Sequence, residues 1–348
     1  MPDAVLSQGR PLTAFLRRGP VGLAPILILL AGLALVPPLA TAFDQPFLIR
    51  VFTRVVVFAT AAVALNLVLG FGGLVSLLHA GLFGMGAYVV AILAHHDFNA
   101  QPLLGVIPRG SSDLALSIPV AVLIVGAAAA ATGVVSLRTS GSYFIMITLA
   151  FNQMLYYFFV ALQEYGGEDG LQILSRLHFA GADITRRVPF YYVCLAILGG
   201  IVVLLAWIVE SPFGMVVRAA AQNERRLAAL GISPLRYKLT AFVLSGMITG
   251  LAGALWAAGQ QFISPADMSW IRSGDLVVMT VLGGLATVWG PVVGALVFLI
   301  LDALLSSWTV YWQLPFGLLV ILTAATLRGG LADLWSIAVS RARGGHRG

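Results

Sequence analysis

The sequence predicts an all-α, polytopic membrane protein with about ten transmembrane segments, some of them broken or re-entrant. Of its 348 residues, 59% are hydrophobic and only 10% are charged, whereas an average soluble domain carries about 25% charged residues. The mean hydropathy is +0.97, and apolar runs of about 20 residues recur, which is the length that crosses a bilayer as a helix. The 38 glycines and 16 prolines fit this class, because both are more frequent in membrane helices than in soluble ones.

The first half of the chain contains five predicted spans. They are residues 21–43, 52–69, 74–94, 114–135 and 143–163. The apolar part of the first is longer than the roughly 7–15 residues of a signal peptide, so we interpret it as an uncleaved span. Glycines at 70–73 interrupt the helical pattern between the second and the third. Ser111, Ser112 and Asp113 offer N-caps for the fourth.

The second half contains five further apolar runs. They are residues 190–208, 239–258, 276–287, 292–305 and 308–327. The run 276–287 is too short to cross a hydrocarbon core of about 30 Å as a helix, and the pairs Gly283-Gly284 and Gly290-Pro291 interrupt the pattern. We therefore expect a broken or re-entrant pair of helices there.

Three regions follow from this layout: an N-terminal tail at 1–20, a transmembrane domain at 21–327 and a C-terminal tail at 328–348. The C-terminal tail has apolar residues on one helical face, so we expect it to lie on the membrane surface. These residues are Leu331, Leu334, Trp335, Ala338 and Val339.

Charge patterning predicts that both termini are cytoplasmic. With ten segments, both tails, the turn 137–142 and the loop 210–238 lie on one side, which then holds 13 of the 20 Lys and Arg residues. Acidic residues show the opposite bias, with 4 on this side and 9 outside. Positive charge in short loops marks the cytoplasmic side. The net charge of +6 thus reflects membrane orientation and predicts no nucleic-acid partner.

The loop 210–238 is the longest polar interruption on the predicted cytoplasmic side. Residues 219–230 are rich in Ala, Glu, Arg and Leu, which favour a helix. Gly231 follows as a natural C-terminal cap, and Pro234 lies three residues beyond it. A short helix between two spans, with small side chains, predicts a docking site for another protein. The alternative is a solvated basic loop that only sets topology.

The sequence predicts no enzymatic activity and no cofactor for this chain. A phosphate-binding P-loop needs Gly-Lys followed by Ser or Thr, and the only lysine, Lys238, stands in no such pattern. Cys194 is the only cysteine, which excludes a disulfide framework and a cysteine-based zinc site. His95 and His96 are adjacent at a span end, and we interpret them as an interfacial polar pair.

Ionisable residues are nearly absent from the predicted spans, and Asp302 and His79 are the clearest ones. Such residues are functional candidates by default, because a charge in the membrane is costly. For Asp302 we favour a hydrogen bond between helices, or one at headgroup level near a span end. For His79 a packed helix contact and a pore residue are equally favoured.

The two glycine breaks, at 72–76 and 283–287, are candidates for substrate binding. A discontinuous helix exposes backbone N–H groups at the positive end of its dipole, which suits a substrate carboxylate. The alternative is that these glycines only allow close helix packing. The candidates for the substrate path are Gly72, Gly73, Ser76, His79, Gly283, Gly284 and Thr287.

Four segments, in this order along the chain, carry a resemblance to a known family. They are residues 66–88, with Ser76 and His79-Ala80-Gly81; residues 137–151, which begin Leu-Arg-Thr-Ser-Gly-Ser-Tyr-Phe; residues 218–242, with Asn223-Glu224 and Ala228-Ala229-Leu230-Gly231; and residues 281–295, with Gly283-Gly284 and Gly290-Pro291. Together they resemble the LivM-type permeases of ATP-binding-cassette importers of the branched-chain amino-acid group. The resemblance runs from about residue 66 to residue 326, and Leu78 departs from it, because the family usually has glycine there.

The resemblance implies a type II importer-like permease in the bacterial inner membrane, which carries branched-chain amino acids or a similar small organic solute into the cytoplasm. It implies a second, LivH-type permease, two ATP-binding subunits of LivG and LivF type, and an extracytoplasmic solute-binding protein. In such importers a short cytoplasmic helix docks into a groove of the ATPase subunit. Here the implied coupling residues are Glu224, Arg225, Arg226, Ala228, Ala229, Leu230 and Gly231.

Three alternatives stay open. Relatives of similar sequence serve urea and short amides, so the chain could belong to an importer of that type. A stand-alone channel or ion-coupled carrier would need no ATPase subunit. An intramembrane enzyme would have only His79 and Asp302 as catalytic groups.

Overall fold

The computed structural model describes residues 20–99, 110–175, 177–179, 182–183, 186–285, 287–308, 313–326 and 330–331. These residues form thirteen α-helices and two pairs of two-residue strands. The helices are α1 (Pro20–Ala34), α2 (Val36–Ala42), α3 (Pro46–Asn66), α4 (His79–Phe98), α5 (Leu114–Ser136), α6 (Ser142–Ala161), α7 (Arg187–Glu210), α8 (Pro212–Gln222), α9 (Glu224–Ala229), α10 (Pro234–Gln260), α11 (Trp270–Gly283), α12 (Gly290–Trp308) and α13 (Gln313–Thr326). The predicted all-α class is confirmed.

The strands lie in the loops and are short. They are β1 (Leu171–Gln172), β2 (His178–Phe179), β3 (Ala182–Asp183) and β4 (Phe262–Ile263). Strand β1 pairs with β4 in antiparallel fashion, with Leu171 opposite Ile263, and β2 pairs with β3 in the same fashion. The first pair therefore ties the loop after α6 to the end of α10.

Each of the ten predicted segments has a helical counterpart, with α1 and α2 together forming the first. Within the described ranges, five helical stretches are long and apolar enough to cross a membrane by themselves: α3 with its following turn, α5, α6, α7 and α10. Two shorter apolar stretches are Ile26–Ala42 and Gly290–Ser306. The N-cap prediction for α5 is confirmed at Asp113, whose carboxylate accepts a hydrogen bond from the Ala115 amide.

The core lies between α3, α4 and α10, and close backbone contacts hold it together. A Cβ atom added at Gly86 would lie 2.1 Å from the carbonyl oxygen of Gly250, and one added at Gly253 would lie 1.8 Å from that of Phe83. Small residues let membrane helices approach this closely and gain van der Waals contact. Helices α5, α6 and α7 surround this core and expose large apolar side chains, among them Leu123, Met146, Tyr157 and Trp207.

The third span begins later than the sequence predicts. Helix α3 continues into a π-helical turn, Leu67–Phe71, and residues 72–78 are not helical. Gly73 has a φ of +65°, a left-handed conformation that ends the helical path. The prediction that a span starts at Leu74 is therefore wrong, and α4 begins at His79.

The loop 210–238 forms two helices instead of one. Helix α8 ends at Gln222, and Asn223 has extended backbone angles and caps α9 by accepting a hydrogen bond from the Arg226 amide at 3.0 Å. The continuous helix predicted at 219–230 is thus interrupted at Asn223. The predicted stop is confirmed, because Gly231 has a φ of +81° and closes the last turn by donating to the Ala228 carbonyl. Pro234 then begins α10, which starts five residues before the predicted span.

The predicted interruption near residue 284 is confirmed, because α11 ends at Gly283 and α12 begins at Gly290. The bounds of the last two helices differ more from the prediction. Helix α12 reaches Trp308, where the predicted run ended at 305, and α13 begins at Gln313, where the predicted span began at 308. Asp302 on α12 forms an ion pair with Arg54 on α3, with 3.1 Å between guanidinium nitrogen and carboxylate oxygen. This contact between helices agrees with the favoured interpretation of Asp302.

Two predictions fall on residues outside those described. The first is the surface helix expected in the C-terminal tail, of which the structure describes only Leu331 among the apolar residues named. The second is the N-terminal tail, of which residues 1–19 are not described. The boundaries of the three regions and the cytoplasmic position of both termini stay predictions.

We expect Gly253→Ala to destabilise the protein by about 1–3 kcal/mol, because the new methyl group would overlap the Phe83 carbonyl in a well-packed core. The measurement is the melting temperature of the purified protein in mild detergent. Gly200→Ala on α7 is the matched control, since a Cβ there meets nothing within 4 Å. Equal melting temperatures of the two variants would contradict the close packing of α4 against α10.

Candidate functional site

The candidate site is the non-helical segment at 72–78, which enters the bundle between α3 and α4. Lipid offers no hydrogen bonds, so irregular backbone is tolerated at membrane depth only where protein or enclosed water satisfies it. In this structure Ser76 and Leu78 are fully buried. We call the end of the bundle that carries α8 and α9 the loop end, and the opposite end the far end.

Side chains from neighbouring helices hold this segment. The Leu77 amide donates to the Thr148 hydroxyl of α6 at 3.3 Å, and the Leu78 amide donates to the Ser76 hydroxyl at 3.3 Å. The Leu77 carbonyl accepts from the Ser273 hydroxyl of α11 at 2.6 Å. The segment is therefore held by polar groups from two other helices.

His79 is fully buried and joins this segment to α10. Its Nδ1 lies 3.1 Å from the Ser76 hydroxyl, and its Nε2 lies 2.9 Å from the Ser245 hydroxyl. Ser245 in turn donates to the Ala64 carbonyl of α3 at 2.6 Å. The ring also meets Phe242 edge-on, with 5.8 Å between centroids. Both ring nitrogens thus have protein partners, as a packed helix contact requires.

The amides at the start of α4 are also occupied. The Ala80 amide donates to the Ser273 hydroxyl at 3.0 Å, and the Gly81 amide donates to Asn152 Oδ1 at 2.7 Å. Asn152 Nδ2 donates to the Met268 carbonyl at 2.9 Å. A substrate carboxylate at this helix end would have to displace these side-chain contacts. Neither Asn152 nor Ser273 was among the predicted site residues. A polar residue within an apolar run is the signal that could have identified Asn152, whereas Ser273 lies in a polar stretch before the run 276–287.

The second glycine break lies beside the first. A Cβ at Gly283 would lie 2.0 Å from the Gly290 carbonyl oxygen, and Gly284 has a φ of +123°. The Thr287 hydroxyl donates to the Gly284 carbonyl at 2.9 Å. Asn66, the last residue of α3, donates from Nδ2 to the Thr287 carbonyl at 2.8 Å. This bond links the start of one break to the other.

The loop end meets the first break directly. A Cβ at Gly73 would lie 3.2 Å from the Cβ of Ala221 in α8. Helix α9 is anchored by Leu227, which is 6% exposed, and by an ion pair between Glu224 and Lys238 of α10. The other side chains of α9 and the residue after it face solvent, and they include Arg225, Arg226, Ala228, Ala229 and Leu230. The structure thus presents a short capped helix with a small, exposed tip.

The structure gives His95 and His96 polar partners. His96 Nε2 lies 3.0 Å from the Tyr165 hydroxyl, and His95 Nε2 lies 2.9 Å from Asn99 Nδ2. Burial raises the pKa of Tyr165, with a smaller effect of Glu164 in the same direction. Its hydroxyl therefore stays protonated. Over the described part of the chain, no group of three or more His, Cys, Asp or Glu residues could hold a metal ion.

Comparison with known proteins gives matches that extend over most of the chain. A sequence model of the family described as "Branched-chain amino acid transport system / permease component" matches residues 47–325. The chain is 27% identical over 322 residues to the high-affinity branched-chain amino acid transport system permease protein LivM of Escherichia coli, an alignment that covers 83% of the chain and 72% of that protein.

More distant relatives also match. The chain is 25% identical over 252 residues to the probable branched-chain amino acid transport permease protein LivH of Methanocaldococcus jannaschii, which covers 68% of the chain and 73% of that protein. A shorter match, 32% identical over 114 residues, covers 27% of the chain and 36% of the nucleoside ABC transporter permease protein NupC of Lactococcus lactis. No solved structure matches the chain.

We expect Asn152→Leu to lower stability by about 1–2 kcal/mol, because the Gly81 amide and the Met268 carbonyl both lose their partner. Gln153→Leu is the matched control, since Gln153 has no side-chain hydrogen bond among the described residues. The two variants are compared by melting temperature in mild detergent. Unchanged stability of Asn152→Leu would show that Asn152 does not hold the start of α4.

Proposed function

Since the chain belongs to the family of permease components of branched-chain amino acid transport systems, we propose that it is a LivM-type subunit that carries branched-chain amino acids into the cytoplasm. The family match over residues 47–325 carries this proposal. Membership makes the chain a multi-pass inner-membrane permease that works with ATP-binding and solute-binding components. The proposal adds the substrate and the partner types: a LivH-type second permease and LivG- and LivF-type ATP-binding subunits.

The proposed docking element for an ATP-binding subunit is α9 with Leu230 and Gly231. Its exposed Ala228 and Ala229 leave room for close approach of a partner surface, and Arg225 and Arg226 can pair with acidic groups at its rim. Leu230 is 72% exposed, and a large apolar side chain at a helix tip gains most by inserting into a pocket. The Glu224–Lys238 ion pair fixes the helix on α10 before docking, so less ordering is needed.

We place the substrate path next to the two glycine breaks, with Gly72, Gly73, Ser76, His79, Gly283, Gly284 and Thr287 as its candidates. The contact of α8 with Gly73 and the Asn66–Thr287 bond support this placement, because motion at the loop end reaches both breaks through them. The hydrogen-bonded amides of α4 restrict the mechanism. A carboxylate reaches those N–H groups only in a conformation in which Asn152 or Ser273 has moved.

The chain itself needs no nucleotide site in this proposal, because ATP is bound and hydrolysed by the partner subunits. This dependence on separate ATP-binding subunits distinguishes the proposal from a stand-alone channel or ion-coupled carrier. The test is reconstitution in liposomes of the chain with its second permease, the ATP-binding subunits and the solute-binding protein. ATP-dependent uptake of labelled leucine is the expected result. Flux through the chain alone would favour a channel, and uptake of urea but not leucine would favour the amide-type importer.

We expect Ala229→Arg to weaken binding of the ATP-binding subunits by about 100-fold or more, because a charged side chain would be forced into a fitted contact. Ser140→Arg is the matched control, since Ser140 is also exposed and lies in the turn 137–142 on the same predicted side. Copurification of tagged ATP-binding subunits measures the effect. Full copurification with Ala229→Arg would contradict docking through α9.

Lys238→Met should leave the membrane domain folded but weaken assembly with the ATP-binding subunits by about fivefold, because α9 loses its ionic anchor and must be ordered on binding. Arg236→Met removes the same charge from an exposed position two residues earlier and serves as control. Binding of the purified ATP-binding subunits to each variant in nanodiscs gives the comparison. Equal affinities would show that the Lys238 ion pair does not position α9.

A further inference from the structure

A cavity at the far end has no part in the function described above. It lies between the first turns of α3, the start of α7 and the end of α10, and its volume is about 330 Å³. Its apolar wall is formed by Ile49, Val57, Phe190 and Leu255. All three helices begin or end near the cavity, so it lies close to one end of these membrane-spanning helices.

The polar lining of the cavity is basic. Arg50, Arg54 and Arg187 line it, together with Thr53, Gln260 and Gln261, and no acidic residue of the described part of the chain does. In the predicted layout this cavity lies on the outer side of the membrane, where short loops carry few Lys and Arg residues. Only seven of the 20 Lys and Arg residues lie on it in the predicted layout, yet three of the seven meet in this cavity. Asp302 pairs with Arg54, and Arg50 and Arg187 leave the lining with a net positive charge, which favours a ligand of opposite charge.

Two local features indicate a built site. Arg54 is held by Asp302 at 3.1 Å, and its buried Nε has no hydrogen-bond partner among the described residues. Gln261 adopts a left-handed φ of +52°, a conformation that is unfavourable for a residue other than glycine. A hydrogen bond holds Gln261 in this conformation, because its carbonyl accepts from the Ile173 amide at 2.9 Å. Two residues of the polar lining, Arg54 and Gln261, are thus held in place by contacts with Asp302 and Ile173.

We propose that this cavity binds the headgroup of an anionic phospholipid, with the phosphate among the arginines and an acyl chain along the apolar wall. Basic pockets between membrane helices bind phospholipid headgroups by this combination of charge and burial. A zwitterionic amino acid fits less well, since its ammonium group would meet three guanidinium groups and no lining carboxylate. The site lies at the far end, away from both glycine breaks, and does not depend on the proposed substrate.

The test uses the full transporter, purified in mild detergent, with dioleoylphosphatidylglycerol and dioleoylphosphatidylcholine as probes. Lipid retention is followed by native mass spectrometry and by the lipid-dependent rise in melting temperature. We expect phosphatidylglycerol to bind more tightly than phosphatidylcholine. Arg50→Gln with Arg187→Gln should weaken phosphatidylglycerol binding by about 25-fold, at about fivefold for each arginine. Arg54 stays unchanged, so its ion pair with Asp302 is kept.

Arg186→Gln is the matched control, because Arg186 is exposed and adjacent to Arg187 but does not line the cavity. It should bind phosphatidylglycerol as the unmodified protein does. Equal binding of the two lipids, equal losses in control and double variant, or no loss in the double variant would overturn the proposal. Equal protection by inorganic phosphate or leucine would overturn the lipid assignment in favour of a free anion or the substrate.

Discussion

The structure depends on one constraint: every backbone N–H and C=O group buried in a membrane needs a hydrogen-bond partner, which the protein or enclosed water supplies because lipid cannot. Residues 72–78 give up the helical pattern inside the bundle, so their polar groups lose the bonds that a helix would supply. Hydroxyls of Thr148 and Ser273 bond the Leu77 amide and carbonyl, and the amide group of Asn152 bonds the Gly81 amide in the first turn of α4. An irregular segment can therefore exist here only while α6 and α11 keep their positions.

The same contacts make the segment a junction. His79 joins it to α10 through Ser245, and Ser245 joins α3 through the Ala64 carbonyl. A shift of one helix at this level must therefore break or move bonds that belong to several others. Such coupled polar networks favour a few discrete arrangements over gradual deformation.

The sequence was sufficient for features that local chemistry determines. It predicted the ten segments, the break near residue 284, the cap at Asp113 and the helix stop at Gly231. It failed at Leu74, because residues 74–78 are mostly apolar and their non-helical path depends on contacts from distant helices. It also missed the break at Asn223, although asparagine is a favoured N-cap. One partner of His79, Ser245, lies 166 positions away in the chain, so no local pattern could identify it.

The two ends of the bundle are tied by different contacts. At the far end Arg54 of α3 pairs with Asp302 of α12, so an ion pair joins these two helices. Arg272 lies 3.7 Å from both Asp267 and Asp275, which braces the start of α11 and the turn before it. At the loop end one hydrogen bond, between Asn66 and Thr287, and the packing of Gly73 on Ala221 lie beside the glycine breaks, and one ion pair, between Glu224 and Lys238, holds α9 on α10. In the proposed function, a force applied through α9 passes to α10 through this ion pair and to the two breaks through the neighbouring α8. The Arg54–Asp302 ion pair lies at the opposite end of the bundle, so it does not hinder motion beside the breaks.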